Sequence, residues 1–181
     1  GAGAEVVALD GNRGKAAALR TGFATLARRG YRQALTADAD GQHPCSQIAH
    51  LATAAGEAEA IHIGVRTMRR APWISRLGRL LSNTWSWCAA GVWMGDSQSG
   101  LRVYPLPAVV HLDAPADRFA YEIEILVRAV WARIPLRRCP VAVHYPADRV
   151  SHFHKLRDNL RAGGVLTRLC LRRLLPGRRP R

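Results

Sequence analysis

Short apolar runs alternate with longer stretches of helical spacing along most of the chain. Glu5-Val6-Val7-Ala8-Leu9 reads as a short buried strand. Asp10-Gly11-Asn12-Arg13-Gly14 follows as a turn. Lys15 to Arg29 then places Ala18, Leu19, Phe23 and Leu26 at helical spacing, with Gly30 as the stop. Gln33 to Thr36 predicts the next strand, Ser46 to Ala55 a helix ended by Gly56, and Ala60 to Val65 another strand. A long helix is predicted over Trp73 to Met94, and a polar loop from Asp96 leads into a strand near Tyr104. Phe119 to Trp131 has a core face of Ile123, Leu126, Val127 and Val130, with Glu122 and Glu124 in its first turns, where acids complement the helix dipole. Pro140 to Tyr145 reads as a final strand. Strands alternating with helices of this length point to an α/β fold with a mostly parallel sheet flanked by helices.

The strongest candidate chemistry follows the strand at Gln33 to Thr36. Asp38 and Asp40 are one residue apart, so in an extended chain both emerge on the same side. Gly41 then permits a sharp turn and Pro44 suits a helix start. Paired carboxylates at the C-terminal end of a strand suit a hard divalent cation such as Mg²⁺ or Mn²⁺, often one already held by a phosphate. An acidic loop capping the next helix would read the same way. Asn12-Arg13-Gly14-Lys15 precedes a helix, so backbone N–H groups and an ammonium can face a diphosphate, although a turn with a solvated lysine also fits. It is too short for a Walker loop.

Charge changes the picture more than composition does. A formal net charge of +14 implies a polyanionic neighbour: nucleic acid, an anionic membrane surface or a phosphorylated substrate. A hydrophobic content of 48% argues against disorder. Cys45, Cys88, Cys139 and Cys170 form no C-x-x-C pair, so reduced thiols in a cytosolic compartment are expected. Gly1-Ala2-Gly3-Ala4 lacks the charged start and apolar core of a signal peptide. With no initiator Met, the expectation is a chain that begins partway through a larger protein. The uncharged run Leu80 to Gly95 falls short of the roughly 20 apolar residues a membrane span requires.

Two segments suggest a surface role. The Trp73 to Met94 helix carries one apolar stripe through Ile74, Leu77, Leu81, Trp85, Cys88 and Val92, and another through Trp73, Leu80, Trp87 and Met94. Tryptophans beside Arg66, Arg69, Arg70, Arg76 and Arg79 suit a helix lying in a membrane interface, while core packing on two sides is the competing reading. From Asp148 onward, ten of the 27 basic residues face only two acids. Leu166, Leu169, Cys170 and Leu174 add an apolar stripe there, which fits an amphipathic, membrane-facing tail over 149–181 after a domain spanning 1–148. One aromatic, Phe153, gives that tail no stacking platform and argues against nucleic acid.

In order and spacing these motifs resemble the family 2 glycosyltransferases, and among them the polyprenyl-phosphate sugar synthases of the dolichol-phosphate mannose synthase kind. The matching residues are Asn12-Arg13-Gly14-Lys15 with Ala18-Leu19-Arg20 and Gly22-Phe23, then Asp38-Ala39-Asp40-Gly41-Gln42-His43-Pro44 and Gly64-Val65-Arg66. Asp96-Ser97-Gln98-Ser99-Gly100-Leu101-Arg102, Glu122-Ile123-Glu124 and Pro140 to Tyr145 complete the match over about residues 5 to 155.

The resemblance implies a GT-A type, Rossmann-like fold. It also implies inverting transfer of a sugar from a nucleotide-sugar to a lipid-linked or other acceptor, at the cytoplasmic face of a membrane. By the same resemblance Asp38, Asp40 and Gln42 hold Mg²⁺ or Mn²⁺ on the donor diphosphate, and Arg66 and Arg76 contact phosphates. Asp96 becomes a general base for a hydroxyl acceptor, or a residue that orients its loop for an acceptor already anionic; a turn residue bonded to backbone N–H groups is the third reading.

Two departures qualify the likeness. The family opens with a nucleoside-binding strand and an acidic turn that precede the first residue here, so the first strand is expected to be missing and nucleotide-sugar binding weak. The family's late Ser-Lys is replaced by Ser151-His152-Phe153-His154-Lys155, which makes Lys155 or His152 the candidate near the diphosphate. Two functions compete with the transferase: a non-catalytic basic module docking on anionic membrane or nucleic acid, and a nucleotidyltransferase.

Overall fold

A computed structural model describes residues 3–67, 73–144 and 155–174, without the side chains of Ile74 and of residues 155–161. Six helices and four strands alternate in the order α1 (Gly14–Arg28), β1 (Gln33–Thr36), α2 (Cys45–Ala55), β2 (Ile61–Arg66), α3 (Trp73–Ala90), β3 (Arg102–Pro105), α4 (Leu106–Val109), α5 (Ala120–Trp131), β4 (Leu136–Val141) and α6 (Lys155–Leu174). The sheet order is β1-β3-β2-β4. β2 runs parallel to β4, while β3 runs antiparallel to both β1 and β2. Three strands therefore share one direction around a reversed β3. The register sets Arg102 opposite both Thr36 and Ile63. The ends of β1 and β2 and the start of β3 thus meet at one sheet edge, where open α/β sheets place their ligand sites.

The two faces of the sheet are covered unequally. Ile61 and Ile63 of β2 join Phe23, Met94, Tyr104, Ile125, Leu126, Leu166 and Leu169 in the larger core, beneath α1, α3, α5 and α6. Leu101, Val103, Cys139 and Val141 pack with Leu51 and Ala55 of α2 on the other face. Neighbouring β3 residues serve opposite cores, Val103 one and Tyr104 the other, as a period of two requires.

Four expectations change. Residues 5–9 form no strand, and Val6 is 84% exposed; no neighbouring strand pairs with the segment, and a strand without a ladder leaves its backbone groups to water. The last strand is Leu136–Val141 rather than Pro140 to Tyr145. It lies at the end of the sheet, where a proline and exposed arginines are tolerated, so its apolar signal is weak. α3 stops at Ala90 because Gly91 adopts φ +84° in the left-handed region, which lets Met94 fold back into the core. The apolar stripe of 149–181 does not stand apart: its Leu166 and Leu169 belong to the main core, against α3 and α5.

Candidate functional site

The loop before α1 is held by its own side chains. Asn12 Oδ1 accepts the Gly14 N–H at 3.1 Å, and Gly14 takes φ +79°, a conformation that suits glycine. This turn delivers Lys15 as the second residue of α1. Its Nζ lies 2.6 Å from Asp38 Oδ1 and 2.7 Å from Glu122 Oε2, and 5.6 Å above the Phe119 ring. Burial disfavours the ammonium, but Glu122 and Asp38 outweigh it and hold the Lys15 pKa above its ordinary value.

The two aspartates after β1 are set differently. Asp38 keeps about a third of its side chain exposed (35%), and it rests against Gly100, where an added Cβ would overlap its carboxylate. Asp40 accepts the backbone N–H of Gln42 at 3.1 Å and also its side-chain amide. Gln42 is buried, and its carbonyl accepts the His144 N–H at 2.9 Å, which ties the turn to the end of β4. The Asp38 carboxylate is engaged by Lys15, while the Gln42 amide is committed to Asp40. His43 follows with a buried Nδ1 that has no hydrogen-bond partner. Burial holds the pKa of its imidazole below the ordinary value, against the pull of Asp38 and Asp40.

A second cluster lies on the other side of Gly100. Asp96 is fully buried; Arg66 donates to it from Nε at 2.7 Å and Nη2 at 3.0 Å, and Arg79 from Nη1 at 3.3 Å. Burial would raise the Asp96 pKa, but the hydrogen bonds and charges of Arg66, with Arg79, hold it below the ordinary aspartate value. A base needs a reachable oxygen and a useful proton affinity, and this carboxylate has neither in the observed geometry. Asn83 on α3 pins the loop by accepting the Ser97 N–H at 2.8 Å and donating to the Gly95 carbonyl at 2.7 Å. Arg102 is also fully buried and donates to the carbonyls of Ser97 and Glu122 at 2.8 and 2.6 Å. It joins the Asp96 loop to the helix that carries Lys15's partner.

Beside this cluster opens a cleft of about 780 Å³ between α3 and the end of the sheet, lined by Arg76, Arg79, Leu80, Trp93, Arg138 and Pro140 among others. Three guanidinium groups next to apolar walls suit an anionic head on an apolar chain. The side chain of Lys155, and all of His152 and His154, lie outside the described residues.

Sequence reasoning missed Glu122 as the partner of Lys15, Arg79 as a partner of Asp96, and the joining role of Arg102. A signal for the first existed. Two glutamates two residues apart on an otherwise apolar helix cannot both be explained by amphipathicity.

For a hard divalent cation the donor set is oxygen-rich but small. Among the described residues no group of three or more His, Cys, Asp and Glu side chains could hold a metal ion. The two aspartates still fit a cation of the Mg²⁺ or Mn²⁺ kind, which is commonly bound through one or two carboxylates plus phosphates. An ammonium already seated on Asp38 shows that this position accepts positive charge.

No family model matches the chain. It is 30% identical over 125 residues to the polyprenol monophosphomannose synthase of Mycolicibacterium smegmatis, a match covering 65% of this chain and 47% of that protein. It is 28% identical over 148 residues to an uncharacterized protein of Methanocaldococcus jannaschii, covering 77% and 61% respectively. Among solved structures, glucosyl-3-phosphoglycerate synthase from Mycobacterium tuberculosis superimposes with a TM-score of 0.60 at 17% identity, over 91% of this chain and 56% of that one. That structure holds Mn²⁺, UDP-glucose and phosphoglyceric acid; another of the same enzyme, with phosphoglyceric acid alone, gives a TM-score of 0.59. The chain thus spans about half the length of the relatives it matches. The fold is of the GT-A type, and the resemblance to family 2 glycosyltransferases is supported by the 30% identity to a polyprenol monophosphomannose synthase.

Proposed function

We propose that this chain is part of a metal-dependent, inverting glycosyltransferase that moves a sugar from a nucleotide-sugar to a polyprenyl-phosphate-like acceptor at a membrane surface. The observation that supports the reading is that Asp38 and Asp40 follow the end of β1, while a basic, apolar-walled cleft opens at the ends of β2 and β4, strands that run in the same direction. The likeness to a polyprenol monophosphomannose synthase supports the acceptor class. Asp38 and Asp40, with Gln42 behind Asp40, would hold a divalent cation, which when bound would supply charge neutralisation for a nucleoside diphosphate leaving group. Asn12, Gly14 and Lys15 present N–H groups and an ammonium to that diphosphate from the start of α1. Arg66 is oriented by Asp96, and Arg76, Arg79 and Arg138 line the acceptor's path. Asp96 in this role is a positioning residue. An acceptor phosphate is already anionic and needs no proton removed, which agrees with a carboxylate committed to two arginines.

The membrane contact rests on α3. Trp73, Leu81 and Trp87 are 71%, 60% and 48% exposed, and Leu171 and Leu174 of α6 are exposed too, amid a strongly basic chain. This pattern suits a helix lying in an anionic interface. No helix among the described residues is long and apolar enough to cross a membrane. Peripheral attachment at the cytoplasmic face is part of the same proposal, supported by the strongly basic charge.

The test is turnover of a nucleotide-sugar panel with a short polyprenyl phosphate, with and without Mn²⁺. Asp40→Asn is expected to lose at least about 100-fold in rate with its circular dichroism unchanged. Release of pyrophosphate would assign a nucleotidyltransferase instead. Vesicle binding with no turnover under any condition would leave a docking module.

A further inference from the structure

Lys15 stands against a partly exposed carboxylate, that of Asp38, just past the end of β1. It bridges two partners of unequal freedom. Glu122 retains 8% of its side-chain surface and its carbonyl is tied to Arg102, so it is a fixed anchor. Asp38 is the looser partner, at 35% exposure, with one side of its carboxylate pressed against Gly100 and Oδ1 turned to the ammonium. A cation at the second position of a helix is opposed by the helix dipole, so its place here depends on those two acids. The two acids outweigh burial and keep the group an ammonium, so two cations contend for the Asp38 carboxylate.

We propose that Lys15 is a displaceable cation: its ammonium and a divalent metal compete for Asp38 Oδ1, and an arriving diphosphate resolves the competition by taking the ammonium onto its own oxygens. The inference rests on the metal reading of Asp38 above and adds a direction of coupling to it. Two cations cannot share one carboxylate oxygen at contact distance without strong repulsion. Glu122 keeps the released ammonium near the start of α1, where backbone N–H groups already favour a phosphate. Metal and diphosphate therefore bind cooperatively, because each removes an obstacle to the other, and no change of fold is required.

The experiment is Mn²⁺ titration of the full chain, followed by the electron paramagnetic resonance signal of free Mn²⁺, without and with UDP. Lys15→Met is expected to bind Mn²⁺ alone about tenfold more tightly than the unaltered chain, within the usual range of coupling factors. UDP should then tighten Mn²⁺ binding less in the variant than in the unaltered chain. The double variant K15M/E122Q leaves no buried carboxylate unpaired, so it serves if K15M fails to fold, and its Mn²⁺ affinity should rise similarly. That rise also removes the objection that a freed Glu122 is the new ligand. Equal or weaker Mn²⁺ binding in both variants, with UDP-dependent Mn²⁺ binding intact in the unaltered chain, overturns the inference alone. Absence of Mn²⁺ binding in every chain, with UDP present, overturns the metal reading and this inference with it.

Discussion

Helices α3 and α5 pack against each other yet solve opposite problems. α5 is buried almost from end to end, and three of its buried residues are charged: Glu122, Glu124 and Arg128. α3 buries a narrow face of Asn83, Ser86, Ala89 and Ala90 and leaves its tryptophans and leucines to the outside. Residue polarity agrees with the burial of α5 as a whole, but not with the burial of its three charges or the exposure of α3's tryptophans. Partners decide the matter. Glu124 accepts from the Ala116 N–H at 2.6 Å, from Arg128 at 2.9 Å and from Arg168 of α6 at 3.0 Å, so its desolvation is offset three times over. α3 turns small and amide residues inward because its task on that side is close approach and grip of the Asp96 loop.

The most severe way to break this contrast is to remove the charge that α5 buries. Glu124→Gln should cost about 3–5 kcal/mol in a urea denaturation, because buried Arg128 then keeps only the exposed Asp113, 3.7 Å away, as a counter-ion. A loss below about 1 kcal/mol would mean that the network is dispensable. A smaller effect is expected at Asp96, which α3 helps to hold through Arg79. Its pKa is lower in the folded chain than the ordinary 3.8, so its contribution to stability is present above that pH and is lost as pH falls through the folded value. Unfolding midpoints measured between about pH 5 and 2 should therefore fall more steeply for the unaltered chain than for Asp96→Asn; parallel curves would contradict the ion pair. The smallest effect on stability belongs to α3's outer face. Trp73→Ser and Trp87→Ser should each stay within about 0.5 kcal/mol, as surface changes do. The same variants should lower binding to vesicles of anionic lipid severalfold, read by co-sedimentation, and undiminished binding would remove α3 from the interface.

Much of the site was legible in the chain because its signals are local. The position of Asp38 and Asp40 just past a strand end follows from the apolar run that stops at Thr36, the Asn12 to Lys15 turn from glycine and an Asx side chain, and the helices from apolar spacing and glycine stops. β4 was misplaced because an edge strand needs little apolar content. The strand at residues 5–9 was misjudged because β-propensity supplies no partner.

The sequence by itself thus determined the order of elements, the position of the two aspartates just past a strand end and the basic character of the surface. All of these depend on contacts within a few residues or on a simple sum of charge. Tertiary structure decided that Lys15 meets Asp38 and Glu122, that Asp96 is locked between Arg66 and Arg79, and that α3 leaves its tryptophans exposed. The ion pairs among them join residues 17 to 107 positions apart, and they turn on which element covers which face, a matter no local periodicity encodes.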